Sequence, residues 1–269
     1  MREGPLASAV IVLHQTPPRF SAAPMSLSIP ALRRILDVLL ARGFRFVSLA
    51  NVDAAGAHPG TIALTADDGY ASQWAHLRPF LRELGVPWCV FVLAGMLGKK
   101  NDWDHSWISP RESHLTADEV RQLAGEGVTI GSHGMTHANM AVLPDAALQE
   151  ELERSRGLLR ELSGQAVDAV AYPWGLADER VAEASRKAGY RLCFGADVGR
   201  RNRPSPVRAA GSSHLITRLG LYSPDQLFPS FAAAAIGDAS PLRSLRCGLE
   251  RVGQRMIGFA MKAHAGPHA

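Results

Sequence analysis

The chain lacks any run near the ~18–20 apolar residues that a membrane-spanning helix needs. Its opening, MREGPLASAVIVLHQTPP, carries one arginine and a short apolar stretch cut by His14, too little for a signal peptide, and reads as a strand. The expectation is a cytoplasmic protein, at most resting against the inner membrane surface. Cysteine is scarce. Cys89, Cys193 and Cys247 are odd in number and far apart, which excludes a disulfide framework and a CxxC metal pair. Cys89 and Cys193 sit in strand-like runs and read as buried, inert thiols. A basic surface is also missing from most of the chain. Net charge is +4, and residues 239–269, with Arg243, Arg246, Arg251, Arg255 and Lys262 against Glu250 alone, account for all of it. The remainder is balanced, so nothing points to a nucleic-acid partner.

What is present is an ordinary globular balance, 46% hydrophobic and 20% charged, in 269 residues, a length that α/β barrels reach as one domain. Strand-like runs at 8–14, 44–50, 61–66, 88–94, 128–133, 167–173 and 190–196 alternate with helical stretches. Helix signals include Ser28-Ile-Pro30 with Gly43 as a stop, Thr116-Ala-Asp-Glu119 as a capping box, a long helix over 145–162 and another near 178–187. Pro79 within 74–85 marks a kink or a late helix start. Such alternation predicts a largely parallel sheet covered by helices, with chemistry at the strand C-termini. The segment 95–114 is long and irregular, a length at which loops are usually functional.

Polar residues collect at those strand ends. His14 ends the first strand, Asp67-Asp68 follow TIAL, His133 and His137 follow VTIGS, and Trp174-Gly175 follow VAYP. Asp-Asp-Gly alone is also turn chemistry, and HxxxH alone also describes surface or capping histidines. If SHGMTH turns helically, its two histidines share one side, and with one aspartate they make a facial site suited to a borderline metal. The other aspartate is then placed as a base, and the cation relieves the repulsion between the pair. The same triad fits a non-haem iron oxygenase, although that class has no use for the second aspartate.

The ordered motifs TADDG, SHGMTH and AYPWG resemble those of the polysaccharide deacetylase (NodB-homology) domains of carbohydrate esterase family 4, usually T-F-D-D-G, H-[ST]-x-x-H and R-x-P-Y-G. The resemblance extends over roughly residues 8–210 and implies a distorted (β/α) barrel in a single catalytic domain, residues 1–221, followed by a tail, 222–269. It implies Asp68, His133 and His137 as ligands of one divalent ion, Zn²⁺ first, with Co²⁺, Ni²⁺ or Fe²⁺ as alternatives. Asp67 would be the general base, and the backbone N–H at Trp174 an oxyanion donor. Ala66 replaces the first motif's phenylalanine. Ala171 replaces the third motif's arginine, so the partner that orients Asp67 must come from elsewhere. There is no late Leu-x-His to act as acid; His214 is the nearest residue of that kind. The opening VIVLHQTPP resembles instead the circularly rearranged branch of the family, which includes poly-N-acetylglucosamine deacetylases. There a strand ending in Tyr-His supplies the acid; here Leu13 replaces the tyrosine and His14 takes the role.

Trp103, with Asp104 and His105 beside it, and Tyr172 are expected against substrate, Arg208 there or paired with an acid, Trp107 equally there or in loop packing, and Tyr70 as rim packing. Leu242, Leu245, Leu249, Val252, Met256 and Phe259 form a seam suited to docking, self-association or a membrane surface through 242–259. The function expected is removal of N-acetyl groups from an amino-sugar polysaccharide or glycoconjugate during exopolysaccharide or cell-surface assembly. The alternatives are a non-sugar amide substrate and an impaired carbohydrate-binding relative.

Overall fold

The computed structural model describes residues 8–52, 60–101, 111–195 and 215–226. Five parallel-sheet units follow one another. β1 (Ala9–Leu13) leads to α1 (Ile29–Ala41), and β2 (Arg45–Phe46) to β3 (Thr61–Ala66). A π-helical turn (Gln73–Leu77) runs into α2 (Arg78–Leu84), then β4 (Trp88–Val92), α3 (Ala117–Gly125), β5 (Thr129–Ser132) and α4 (Asp145–Ser163). β6 (Ala169–Ala171), α5 (Glu179–Lys187), β7 (Leu192–Gly195), β8 (Leu215–Thr217) and β9 (Leu219–Gly220) complete the order.

Most elements form where the sequence predicts them. The capping box at Thr116 is complete, with Thr116 accepting from the Glu119 N–H and Glu119 accepting in return. Pro79 lies inside a helix that runs unbroken over residues 71–84, and the π-helical turn just before it, where the Arg78 N–H reaches the Gln73 carbonyl, makes it a site of helix distortion and not a late start. Two expectations are corrected. The strand read at 44–50 is only Arg45–Phe46, because Ser48 accepts from the Ala50 N–H and turns the chain into a 3₁₀ helix. At α1, Ser28 stands at the cap position but makes no side-chain cap; its own N–H donates to Gln226 Oε1 at 3.0 Å.

The sheet order is β8-β7-β6-β5-β4-β3-β1-β9, every pairing parallel, with β2 beside the start of β3. β8 and β9 stand at opposite ends of this order, yet only Arg218 separates them along the chain. Adjacent Cα atoms are about 3.8 Å apart, so the two ends must meet: one segment pairs β7 with its first half and β1 with its second, and closes the barrel. Side chains then alternate. Val10, Ala63, Cys89, Phe91, Ala169, Ala171, Leu192 and Phe194 form an inner cluster, while Ile11, Leu64, Val90, Ile130, Val170 and Cys193 join the helices in an outer one. Counting by twos from Val10 and Ala63 brings His14 and Asp67 to the inner face at the C-terminal mouth. Among the described residues, no helix is long and apolar enough to cross a membrane.

Candidate metal centre and its base

Asp67, Asp68 and His133 are almost wholly buried at that mouth, at 3%, 4% and 2% exposure, and His137 at 9%. His133 Nε2 lies 3.3 Å and His137 Nε2 3.4 Å from the same oxygen, Asp68 Oδ1. One ligand atom from each of the three residues lies within 4.8 Å of the other two. His133 Nδ1 is 2.8 Å from the Ala171 carbonyl, which requires the proton on that nitrogen. With the ring neutral, Nε2 aims its lone pair at Asp68 Oδ1, which has no hydrogen-bond partner among the described residues. Lone pairs converging in a buried site repel unless a cation sits among them, so this donor set fits a divalent metal, and its mixed N/O character fits Zn²⁺ or its neighbours.

The two histidines do not meet across a helical turn, as their spacing suggested. Residues 133–139 form a loop off the end of β5, and His137 takes a left-handed backbone, φ 63°. Asp68, φ 69°, and Trp174, φ 62°, do the same. Three of the four described non-glycine residues with positive φ thus lie at this mouth, where such strain is characteristically kept for function. His114 supports one of them, its Nδ1 2.8 Å from the Asp68 carbonyl and its ring stacked on buried Tyr70 at 5.2 Å. The Trp174 ring stands edge-on to His137, centroids 4.6 Å apart.

Asp67 has a partner that the motif reading left open. Arg218, 6% exposed at its side chain, donates Nη1 and Nη2 to the two Asp67 oxygens, both at 2.6 Å, in a bidentate pair. The guanidinium lies over Phe91 and Phe194, 5.2 and 5.7 Å from their centroids. Ala171, the small residue in the usual arginine position, belongs to the same inner cluster, so the barrel interior keeps room for an arginine arriving from the closing segment. Burial alone would raise the Asp67 carboxyl; Arg218 first, then His133 and His14, outweigh it and keep the pKa below its ordinary value. Arg218 was missed because its role depends on β8 and β9 meeting around it.

His14 is partly exposed in the mouth, with Nδ1 shut off from solvent and the Tyr222 ring 5.8 Å away. Burial lowers its pKa, against the raising effect of Asp68 and Asp67, making its protonated form a stronger acid than free imidazolium. Gln73, fully buried, ties His14 to Asp67: its Nε2 donates to the carbonyls of His14 (3.0 Å) and Asp67 (2.6 Å).

Tyr172 does not face substrate. It follows inward-facing Ala171, so the alternation turns it outward; it is fully buried in the helix layer and its hydroxyl donates to Ser185 Oγ at 2.8 Å. Trp103, Asp104, His105, Trp107, Arg208, His214, Cys247 and the 242–259 seam lie outside the described residues. Cys89 and Cys193 are buried, and burial pushes both thiols up, consistent with inert packing.

The geometry can be set beside known proteins that the chain resembles. The polysaccharide deacetylase family model matches residues 54–193, a span that holds both aspartates, both histidines and Trp174 but neither His14 nor Arg218. YxkH of Bacillus subtilis (strain 168), itself named as a polysaccharide deacetylase, is 25% identical over 148 residues, 55% of this chain and 49% of that protein. The chain thus spans about half of that relative's length. A peptidoglycan deacetylase of Helicobacter pylori (strain ATCC 700392 / 26695) is 27% identical over 96 residues, 35% of this chain and 31% of that one. Among solved structures, IcaB from Ammonifex degensii superposes with a TM-score of 0.66 at 21% identity, covering 85% of this chain and 98% of its own. The BpsB deacetylase domain from Bordetella bronchiseptica gives 0.63 at 19%, covering 82% and 98%. At these identities the two structures speak for the fold, a distorted (β/α) barrel of the NodB type. Fold and family match together place the chain in the polysaccharide deacetylase family.

Proposed function

We propose that the chain is a metal-dependent N-deacetylase of an amino-sugar polysaccharide or glycoconjugate, working in exopolysaccharide or cell-surface glycan assembly. The observation that carries this reading is an ionised carboxylate, Asp67, clamped by Arg218 beside a separate Asp68–His133–His137 ligand set. A carbohydrate-binding relative with a damaged site has no need of that clamp. The relatives' names, polysaccharide deacetylase and peptidoglycan deacetylase, support a glycan over a non-sugar amide.

Asp68, His133 and His137 would hold the ion, which when bound supplies Lewis acidity toward the amide oxygen and the attacking water. Asp67 accepts the proton of that water, and Arg218 keeps the carboxylate ionised and its oxygens fixed. The backbone N–H at Trp174 serves the developing oxyanion, a contribution of about 3–4 kcal/mol in well-studied cases. His14 delivers a proton to the departing nitrogen, so that the C–N bond breaks toward a neutral amine. Trp103 and Arg208 remain proposed substrate contacts, and the 242–259 seam a proposed site of self-association or membrane-surface contact.

The test is acetate release from β-1,4- and β-1,6-linked N-acetylglucosamine oligomers, after chelation and after adding back Zn²⁺, Co²⁺ or Ni²⁺. Metal-dependent acetate establishes the reaction and the preferred linkage. Its absence from metal-loaded protein on both linkages would move the reading to a specialised glycoconjugate or a non-sugar amide. Protein that holds no metal would favour the binding relative.

A further inference from the structure

We propose that Glu151, on α4, is a positioning residue for the metal ligands: its buried carboxylate holds the loop between His133 and His137 in the shape that brings both imidazoles to Asp68. The proposal rests on the metal reading above.

Each N–H group between the two histidines has a partner, and so do two of the carbonyls. The Gly134 and Met135 carbonyls each accept, at 3.0 Å, from the Ala94 and Gly95 N–H groups at the exit of β4. The Gly134 N–H donates to Ser132 Oγ at 3.1 Å. The two remaining donors, Met135 N (2.6 Å) and Thr136 N (3.3 Å), both reach Glu151 Oε2, while Thr136 Oγ1 donates to Oε1 at 2.5 Å. Glu151 is 8% exposed and makes no ion pair among the described residues. A carboxylate is drawn out of water here to serve two backbone donors and one hydroxyl, a stronger clamp than a neutral acceptor would make.

The space around it confirms the coupling. Gly134 stands where the family motif carries Ser or Thr, and its φ is +84°. A Cβ there would come within 2.8 Å of Glu151 Oε2 and 2.8 Å of Met140 Cε. The carboxylate occupies the volume a side chain would need. At the far end of the loop, His137 is held at φ 63°, a left-handed conformation that a non-glycine residue adopts only under strain. Releasing the two preceding N–H groups lets that strain relax and swings a ligand away from Asp68.

The test uses the full chain stripped by chelation, with Zn²⁺ affinity from chelator competition and ligand geometry from the Co²⁺ d–d spectrum. Neither readout depends on a substrate. Glu151→Ala is expected to weaken Zn²⁺ by about 10–100-fold, the range seen when groups behind a metal ligand are removed, and to alter the Co²⁺ bands. Glu151→Gln, which still offers an acceptor to the loop, should recover most of the affinity. Glu153→Ala, which removes an exposed carboxylate from the same helix, should match wild type. A folded Glu151→Ala with wild-type affinity and spectrum overturns the proposal and leaves the metal reading standing. Equal losses in the Ala and Gln variants overturn it too, since the acceptor that Gln keeps for the loop N–H groups would then count for nothing. If Glu151→Ala fails to fold, Thr136→Val decides: a smaller loss in the same direction supports the proposal, and unchanged affinity ends it. Wild-type chain that binds no metal removes the underlying reading, and the proposal with it.

Discussion

Two adjacent carboxylates here answer to different partners. Asp68 faces two imidazole nitrogens and Asp67 faces a guanidinium, and in the proposed mechanism that division separates ligand from base. Asp68→Ala should therefore lose bound metal and activity together, whereas Asp67→Asn keeps the metal and loses rate; elemental analysis of the purified variants distinguishes them. Arg218→Lys keeps a charge beside Asp67 but not the bidentate geometry. The base works only when ionised. With the clamp weakened, the raising effect of burial is less opposed, so the acidic limb of kcat/KM should move to higher pH. A pH–rate profile checks the direction, and a limb unmoved in pH would show that Arg218 does not govern the base. His14→Ala should leave fold and metal intact and cost on the order of 10²–10⁴ in rate, the usual worth of general acid catalysis. An unchanged rate in steady-state assay would give the acid role to His214 or to water.

At the scale of elements, the strand ends deliver these groups, but shorter devices aim them. The π-helical turn that starts at Gln73 precedes α2, and the Gln73 amide spans the ends of β1 and β3 just past their last ladder bond, Asp67 N to the Leu13 carbonyl at 2.9 Å. Both neighbours of that nitrogen are carbonyls, so only a donor fits. Gln73→Leu should retain metal and lose kcat on the order of 10²-fold through misplacement of acid and base. Combined with His14→Ala, its effect should be much less than additive, which a double-mutant cycle measures. Full additivity would reduce Gln73 to a packing residue.

For the whole molecule, the segment 215–220 has two tasks that cannot be separated. It covers the open edges of β7 and β1, and it inserts Arg218 over Phe91 and Phe194. The turn Ser223–Gln226 then docks on the barrel, Gln226 reaching the Ser28 N–H at 3.0 Å and the Ser21 carbonyl at 2.9 Å. A chain ended after residue 214 would expose two strand edges and leave Asp67 buried and unpaired. It is expected to aggregate or to lose cooperative thermal unfolding, read by size-exclusion chromatography and near-UV circular dichroism. A soluble, cooperatively unfolding product would show that the barrel closes without this segment.

Local order along the chain determined much of this protein: the alternation of strands and helices, the Thr116 cap, the helix distortion at Pro79, and the strand ends carrying His14, Asp67-Asp68 and His133. Each depends on residues within a few positions of one another, where period and capping are decided. Tertiary structure decided the rest. The histidine loop is not a helical turn, because its bonds go to β4 and α4 and not to itself. Tyr172 faces the helices because the two-residue alternation is anchored by what lies inside the barrel. Arg218 replaces the absent third-motif arginine from 151 positions beyond Asp67. No local pattern can register that pair, because it exists only where the barrel closes on itself.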